Sequence, residues 1–170
     1  MSRPKLQAPQ PLQAHHRVAG YASGAEELDD WLRRFAWVNQ QAGNARTFVA
    51  TRDDEVVGYY ALATAGVERA DFPAPLAKGG VPRQVPCLLL ARLAVHQVEQ
   101  GNGLGRGLLV DALRRAIRVS DEVGVRALLL HARDDAAKAY YLHLGEFVES
   151  PTDPHHLLLH LKQARRLMRG

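Results

Sequence analysis

Four glycines at alternate positions constrain the fold of this chain more than any other feature. Gly101, Gly103, Gly105 and Gly107 follow the apolar run 87–95, CLLLARLAV, and precede a helical repeat of apolar residues over 108–119. The apolar run is typical of a strand buried on both faces. Glycine lets the backbone approach a ligand closely, and the free N–H groups at a helix N-terminus attract anions. The segment therefore predicts a phosphate-binding loop between a strand and a helix.

Two well-known phosphate motifs do not fit this loop. A P-loop ends in Gly-Lys-Ser/Thr, whereas Gly105 is followed by Arg106 and Gly107. The dinucleotide pattern Gly-x-Gly-x-x-Gly would place its third glycine on Arg106 or Leu108. The remaining pattern is Gln-x-x-Gly-x-Gly over 100–105. A glycine-rich turn without a ligand is the alternative, and the flanking strand and helix make it the less favoured one.

The rest of the chain predicts one mixed α/β domain over residues 15–170. A Ser-x-x-Glu capping box at 23–26 predicts a helix over 25–40, and β-branched residues predict a hairpin of 47–51 with 56–64. Further strands are expected at 126–132, 147–149 and 157–161, and a helix at 134–144. Residues 1–14, with three prolines and three glutamines, predict a flexible arm. We expect a cytoplasmic protein, because no apolar run has the length of a membrane helix or signal peptide.

The charge is concentrated at the two ends of the chain. The net charge is +4, yet residues 1–20 hold three basic and no acidic residues, and residues 161–170 hold four basic and no acidic residues. Acidic residues therefore outnumber basic ones in the interior. Basic ends can contact nucleic-acid phosphates, or they can simply be solvated tails.

The loop and a second motif together resemble the GCN5-related N-acetyltransferase (GNAT) family. The pattern over 100–105 resembles that family's acyl-CoA pyrophosphate loop. Residues 137–147, AKAYYLHLGEF, resemble its downstream helix motif Ala-x-x-Phe-Tyr followed by Gly-Phe. The chain departs from this motif at Tyr140, where the family usually has Phe, and at Glu146, which stands between Gly145 and Phe147.

A narrower resemblance, to the acetyltransferase toxins of bacterial toxin–antitoxin modules, covers the chain from about residue 15. It is carried by 46–49, 57–63, 90–95, 125–127 with 131–132, and 150–154. It implies the GNAT fold, a mixed central β-sheet with flanking helices. It also implies an N-acetyltransferase that moves an acetyl group from acetyl-CoA to the α-amino group of aminoacyl-tRNA and so blocks translation. The implied partners are a ribbon-helix-helix antitoxin and a second copy of the chain in a homodimer, with no membrane.

The resemblance also implies residue roles. Tyr141 is expected to be the catalytic acid that protonates the leaving CoA thiolate. The expected acetyl-CoA contacts are Leu93, Ala94, Val95, Gln100, Gly101, Asn102, Gly103, Leu104, Gly105 and Arg106. The candidate tRNA contacts are Arg33, Arg34, Arg165 and Arg166.

The residues leave the general base open and do not predict a metal. No Asp or Glu lies in 87–95, and His96 and His131 are candidates that could equally be structural. His155, His156 and His160 are not expected to bind a metal, because two positions four apart on a strand are roughly 13 Å apart.

Two other functions remain open at this stage. One is a non-toxic GNAT enzyme that acetylates a small amine or a protein N-terminus. The other is a non-enzymatic module that binds acyl-CoA or pairs with a DNA-binding partner.

Overall fold

The computed structural model describes residues 2–169. Its strands are β1 (Leu6–Pro11), β2 (Arg46–Arg52), β3 (Glu55–Glu68), β4 (Gln84–Val95), β5 (Ala127–His131), β6 (Val148–Glu149) and β7 (His156–His160). Its α-helices are α1 (Glu26–Arg34), α2 (Ala36–Ala42), α3 (Leu104–Glu122), α4 (Asp135–Leu144) and α5 (Leu161–Arg169). The strands form one sheet in the order β1-β2-β3-β4-β5-β7-β6. The predicted mixed sheet with flanking helices is confirmed. No helix within residues 2–169 has the length and apolar character needed to cross a membrane.

The chain divides into two compact units, each held together by contacts among its own residues. The first unit comprises residues 1–63 and 91–112, and the second comprises residues 64–90 and 113–170. The glycine loop belongs to the first unit and Tyr141 to the second. That residues 15–170 form a single domain stays a prediction.

In the first unit, β1, β2 and β3 form an antiparallel ladder. The tight turn between β2 and β3 uses Asp53 and Asp54, both at positive φ (48° and 65°), a conformation that aspartate tolerates better than most residues. The core of this unit consists of residues from the sheet, the helices and the connecting loops: Leu12, Tyr21, Leu32, Ala36, Val49, Val56, Tyr59 and Ala94. The predicted hairpin is confirmed.

The predicted flexible arm is wrong for residues 6–11, which form β1. Leu6 pairs with Arg52 and Pro11 with Phe48, so the backbone of this segment is bonded to the sheet. Prolines are tolerated because β1 is an edge strand. An N–H on its outer side has no neighbouring strand to bond, so its absence costs no hydrogen bond of the sheet. Composition alone gave no sign of this pairing, which joins positions far apart in the chain.

The predicted helix over 25–40 is two helices, because the chain turns at Phe35. The Phe35 N–H donates to the Trp31 carbonyl and ends α1, and α2 begins at Ala36. The predicted capping box does not form. Ser23 instead donates its hydroxyl to an Asp29 carboxylate oxygen at 2.6 Å, and Ala25 is the N-cap.

In the second unit, the first half of β4 is parallel to β5, and β7 pairs antiparallel with both β5 and β6. The core includes Val85, Cys87, Leu129 and Leu158. Asp134 caps α4, its carboxylate accepting the Ala137 N–H at 2.8 Å. The last predicted strand ends at His160, and α5 follows directly, burying Leu161 and Ala164.

Candidate functional site

The glycine loop has the backbone geometry of an anion cradle. Gly101 and Gly103 have φ of 83° and 85°, values that favour glycine. The Gly107 N–H bonds the Gly103 carbonyl at 3.0 Å, at the start of α3. The preceding N–H groups, of Leu104, Gly105 and Arg106, have no acceptor within the helix. Asn102 and Arg106 are exposed, so the loop has open donors and an adjacent positive charge.

Gln100 ties the loop to its surroundings. Its side-chain amide donates to the Ser23 carbonyl at 2.7 Å and to the Val95 carbonyl at 2.8 Å. The sequence predicts a ligand contact for Gln100, and the structure shows a side chain occupied in joining the loop to the end of β4. The β4 residues predicted to line the acetyl-CoA arm divide by burial: Ala94 is buried in the core, whereas Leu93 and Val95 are half-buried.

Glu99 is a buried carboxylate that sequence reasoning missed. It is 3% exposed and accepts from the Arg52 Nε at 2.8 Å; Arg3 also pairs with it. The hydrogen bond from Arg52 and, to a lesser degree, the charges of both arginines lower the pKa of Glu99. Because Glu99 directly precedes Gln100, these pairs attach the start of the loop to β2 and to the N-terminal segment.

A cavity of about 400 Å³ lies between β1 and the loop. Its lining includes Leu6, Gln7, Ala8 and Pro9 on one side and Asn102, Gly103, Leu104 and Gly107 on the other. The segment predicted to be a loose arm thus forms one wall beside the candidate phosphate cradle.

Tyr141 lies on α4 in the second unit, half-buried between two aromatic rings. Its ring meets Tyr140 edge-on at 5.7 Å and Phe147 at 6.4 Å between centroids. Burial, with a smaller contribution from Tyr140, raises the pKa of Tyr141 to about 12. Its phenol is therefore protonated at neutral pH and can act as a hydrogen-bond donor. Tyr140 is the more exposed of the two, at 42%.

The extra residue Glu146 does not disturb the packing after α4. Phe147 is buried, and a Cβ placed on Gly145 would lie 3.3 Å from its ring, so Gly145 allows the ring to pack closely. Glu146 itself is exposed and accepts a hydrogen bond from Gln163 of α5. The insertion is absorbed at the surface.

Three of the four predicted tRNA-contacting arginines are engaged within the protein. Arg33 donates to the Tyr21 carbonyl at 2.6 Å, Arg34 pairs with Asp30 at 3.1 Å, and Arg165 pairs with Asp121 at 2.5 Å. Arg166 is exposed, and within residues 2–169 no hydrogen bond or ion pair engages it.

The two candidate bases have structural contacts. His96 accepts the Ala22 N–H through Nδ1 at 3.0 Å. His131 stacks on His156 with ring centroids 3.8 Å apart, and burial and this neighbour lower its pKa. Cys87 is buried, which raises its pKa to about 11 and leaves an unreactive thiol.

The C-terminal histidines do not converge on one point. His155 pairs with Asp135 at 2.8 Å and His156 with Asp153 at 3.3 Å. Within residues 2–169, a different set of residues, His15, His16 and Asp54, brings three potential ligand atoms within 4.8 Å of one another.

The bonding of His16 argues against a metal at that group. Its Nδ1 accepts the Gln13 N–H at 2.8 Å, whereas a metal-bound imidazole normally donates an N–H from its other nitrogen. This donor set does not fit a metal, and we assign none.

Comparison with known proteins identifies close relatives. A family model described as an acetyltransferase (GNAT) domain matches residues 43–145. A tRNA-acetylating toxin of Mycobacterium tuberculosis is 46% identical over 161 residues, covering 95% of this chain and 96% of the relative.

Solved structures of toxins share the fold. AtaTR bound with acetyl-CoA superposes with a TM-score of 0.83 at 25% identity, covering 96% of this chain and 98% of that one. A mutant AtaT toxin bound to the C-terminus of the antitoxin AtaR and acetyl-CoA superposes with a TM-score of 0.84 at 22% identity, covering 98% and 99%.

Proposed function

The chain belongs to the GNAT acetyltransferase family, and we propose that it acetylates the α-amino group of aminoacyl-tRNA, using acetyl-CoA, as the toxin of a toxin–antitoxin pair. The observation that carries this function is the 46% identity, over 95% of the chain, to a tRNA-acetylating toxin. The reaction blocks translation, because an acetylated aminoacyl group has no free amine for peptide-bond formation.

The glycine loop is the proposed site for the pyrophosphate of acetyl-CoA, which supplies the activated acetyl thioester. Support comes from the positive φ of Gly101 and Gly103 and from the unpaired first-turn N–H groups of α3, which suit a phosphate. Arg106 adds an exposed positive charge. We assign the backbone of 93–95 to the pantetheine arm, where an N–H can polarise the thioester carbonyl.

We assign Tyr141 as the catalytic residue that acts on the leaving sulfur. With a pKa of about 12, its phenol holds its proton when a thiolate, of ordinary pKa about 8.5, begins to form. Proton transfer in that direction is uphill in water. Tyr141 therefore acts first as a hydrogen-bond donor that stabilises the developing charge on sulfur. When it then gives its proton to the thiolate, CoA leaves as the thiol and the tyrosinate takes a proton from water.

The amine needs no protein base in this scheme. An α-amino group has a pKa near 7.7–8.0, so a useful fraction of it is neutral at physiological pH and its proton can leave to water. This agrees with the structural contacts of His96 and His131.

The proposed partners follow from the same assignment. We propose a ribbon-helix-helix antitoxin, a homodimer, and action in the cytoplasm, where charged tRNA is found. Arg33, Arg34, Arg165 and Arg166 are proposed tRNA contacts, and of these four Arg166 is the one with no hydrogen bond or ion pair to give up within residues 2–169.

The test is a competition for labelled acetyl-CoA among charged tRNA, uncharged tRNA, small primary amines and peptides with free N-termini. We expect label on charged tRNA alone, released with the amino acid by mild alkali. Label on amines or peptides but not on charged tRNA would instead support the alternative, a non-toxic acetyltransferase. Binding of acetyl-CoA without any transfer would favour the non-enzymatic module.

A further inference from the structure

We propose that Arg92, held against Trp31, binds the terminal phosphodiester of the tRNA acceptor, next to the aminoacylated nucleoside. This inference rests on the proposed function and adds a substrate-binding residue to it. All the residues that carry it lie in the first unit.

Arg92 is fixed in a three-layer stack. Its guanidinium carbon lies 4.6 Å from the centre of the Trp31 ring. Trp31 in turn stacks on Tyr59, with ring centroids 6.1 Å apart and planes within 9°. Tyr59 is fully buried and donates its hydroxyl to the Leu28 carbonyl at 2.6 Å. The arginine is therefore held rigidly on a supported aromatic face.

The charge of Arg92 has no acidic partner within residues 2–169. Its one hydrogen bond is a long contact, 3.4 Å, to the neighbouring Ala91 carbonyl. Three other arginines of the same unit are paired with acidic residues: Arg17 with Glu55, Arg34 with Asp30 and Arg52 with Glu99. A half-buried cation without a counter-charge is unfavourable unless something else supplies the anion.

Within residues 2–169, the N–H donors of Arg92 make no hydrogen bond other than the long one from Nη1 to the Ala91 carbonyl. The guanidinium carbon stands over the Trp31 ring, and a guanidinium carries its N–H donors in its own plane. Those donors match the oxygens of a phosphate in a two-bond contact. The arrangement thus suits an anion approaching from the edge.

The position of Arg92 indicates which phosphate it meets. It directly precedes residues 93–95 of β4, assigned above to the thioester end of acetyl-CoA. At roughly 3.3 Å per residue, Arg92 lies within about 10 Å of Val95 along the strand. The pyrophosphate of acetyl-CoA is assigned to the loop beyond the end of β4. The anion nearest the reacting amine is the 5′ phosphate of the terminal nucleoside, so the acceptor supplies the partner of Arg92.

The test combines substitution of Arg92 with removal of the phosphate from the acceptor. The two acceptors are aminoacyl-adenosine 5′-phosphate and aminoacyl-adenosine, assayed with the wild type and with Arg92→Gln. We expect the wild type to have a lower KM for the phosphorylated acceptor by about 10- to 100-fold, the range for hydrogen bonds to charged groups. Arg92→Gln should remove that preference while leaving KM for aminoacyl-adenosine and Kd for acetyl-CoA unchanged.

Arg17→Gln is the matched control, since Arg17 is an exposed arginine of the same unit, and it should keep the preference. If Arg92→Gln lowers the thermal midpoint, Arg92→Lys replaces it; it keeps the charge but loses the planar two-bond contact and should retain only part of the preference. An unchanged preference in the variant, or an equal rise in KM for both acceptors, would overturn the assignment. A wild type that ignores charged tRNA altogether would refute the proposed function itself, a result visible without any variant.

Discussion

Two adjacent tyrosines on α4 raise the question of which one serves the reaction. Tyr141 is half-buried between Tyr140 and Phe147, and its pKa is raised to about 12. Tyr140 is 42% exposed, and burial raises its pKa as well. The family pattern and the enclosed environment both favour Tyr141.

Tyr141→Phe should lower kcat by about 100-fold or more, the usual range for loss of a positioned acid, with Kd for acetyl-CoA little changed. The change removes a single oxygen, so the helix should keep its packing. Tyr140→Phe is the matched control, and it should lower kcat by less than a few-fold. Steady-state rates with charged tRNA measure both. If Tyr140→Phe lowers kcat more than Tyr141→Phe does, Tyr140 and not Tyr141 is the catalytic residue.

Glu99 supports the loop through ion pairs, and its contribution depends on pH. Arg52 lowers the pKa of Glu99 from its ordinary value of 4.5. A carboxyl group with a lowered folded pKa stabilises the fold above its unfolded pKa, and this stabilisation is lost as the pH falls through the folded pKa. The ion pairs therefore act at neutral pH and fail in acid.

Glu99→Gln should lower the thermal midpoint at pH 7, and the difference from wild type should shrink as the pH falls below about 4.5. It should also weaken acetyl-CoA binding, because the residue before Gln100 is released. Glu55→Gln, which removes an exposed partner of Arg17, is the control and should change acetyl-CoA binding little. If the difference in thermal midpoint between the wild type and Glu99→Gln stays constant down to pH 3, Glu99 does not stabilise the fold through its ion pairs.

For single residues, sequence patterns predicted those that belong to short motifs. They missed residues whose contact partners are far away in the chain. The glycines and Tyr141 belong to short motifs that can be read in order. Glu99 and Arg52 are 47 positions apart, and Arg92 and Trp31 meet only because α1 packs near β4. No spacing rule joins such pairs, since the fold brings them together.

Strand β1 is the element that sequence reasoning placed least well. β-branched residues predicted β2 and β3, and a helical repeat of apolar residues predicted most of α3. Residues 6–11 contain two prolines and a single large apolar side chain, so no such signal exists. Their structure comes from pairing with β2, a tertiary effect that overrides local propensity.

Removal of residues 2–9 should weaken acetyl-CoA binding several-fold while leaving the protein folded. The deletion removes the β1 wall of the cavity beside the loop and the Arg3 contact to Glu99, but it retains the buried Leu12. Calorimetric titration with acetyl-CoA measures the effect. Arg3→Gln separates the two causes, since it keeps β1 and removes the ion pair. Wild-type affinity in the deletion variant would show that β1 does not shape the site.

At the scale of the whole molecule, the basic surplus near the C-terminus is carried by a packed helix. α5 buries Leu161 and Ala164, and it pairs Arg165 with Asp121. Lys162, Arg166 and Arg169 are exposed. The sequence alone could count this charge but could not separate the cation paired with Asp121 from the exposed ones.

The exposed cations of α5 should provide salt-dependent affinity for tRNA. Replacing Lys162, Arg166 and Arg169 with glutamine should weaken binding of charged tRNA and reduce the slope of log K against log[salt] by up to about three, because each phosphate contact contributes close to one. Deleting the helix would be a poorer test, since it would also remove the buried side chains of Leu161 and Ala164 and uncover the surface they pack against. Kd for acetyl-CoA should not change.

The control removes the same charge elsewhere in the second unit, by replacing the exposed Arg69, Lys78 and Arg83 with glutamine. Both triple variants have the same net charge, so a general electrostatic effect would change their salt slopes equally. A local effect would change only the α5 variant. Equal slopes in the two variants would therefore remove α5 from the tRNA-binding surface and leave the long-range field of the protein as the source of attraction.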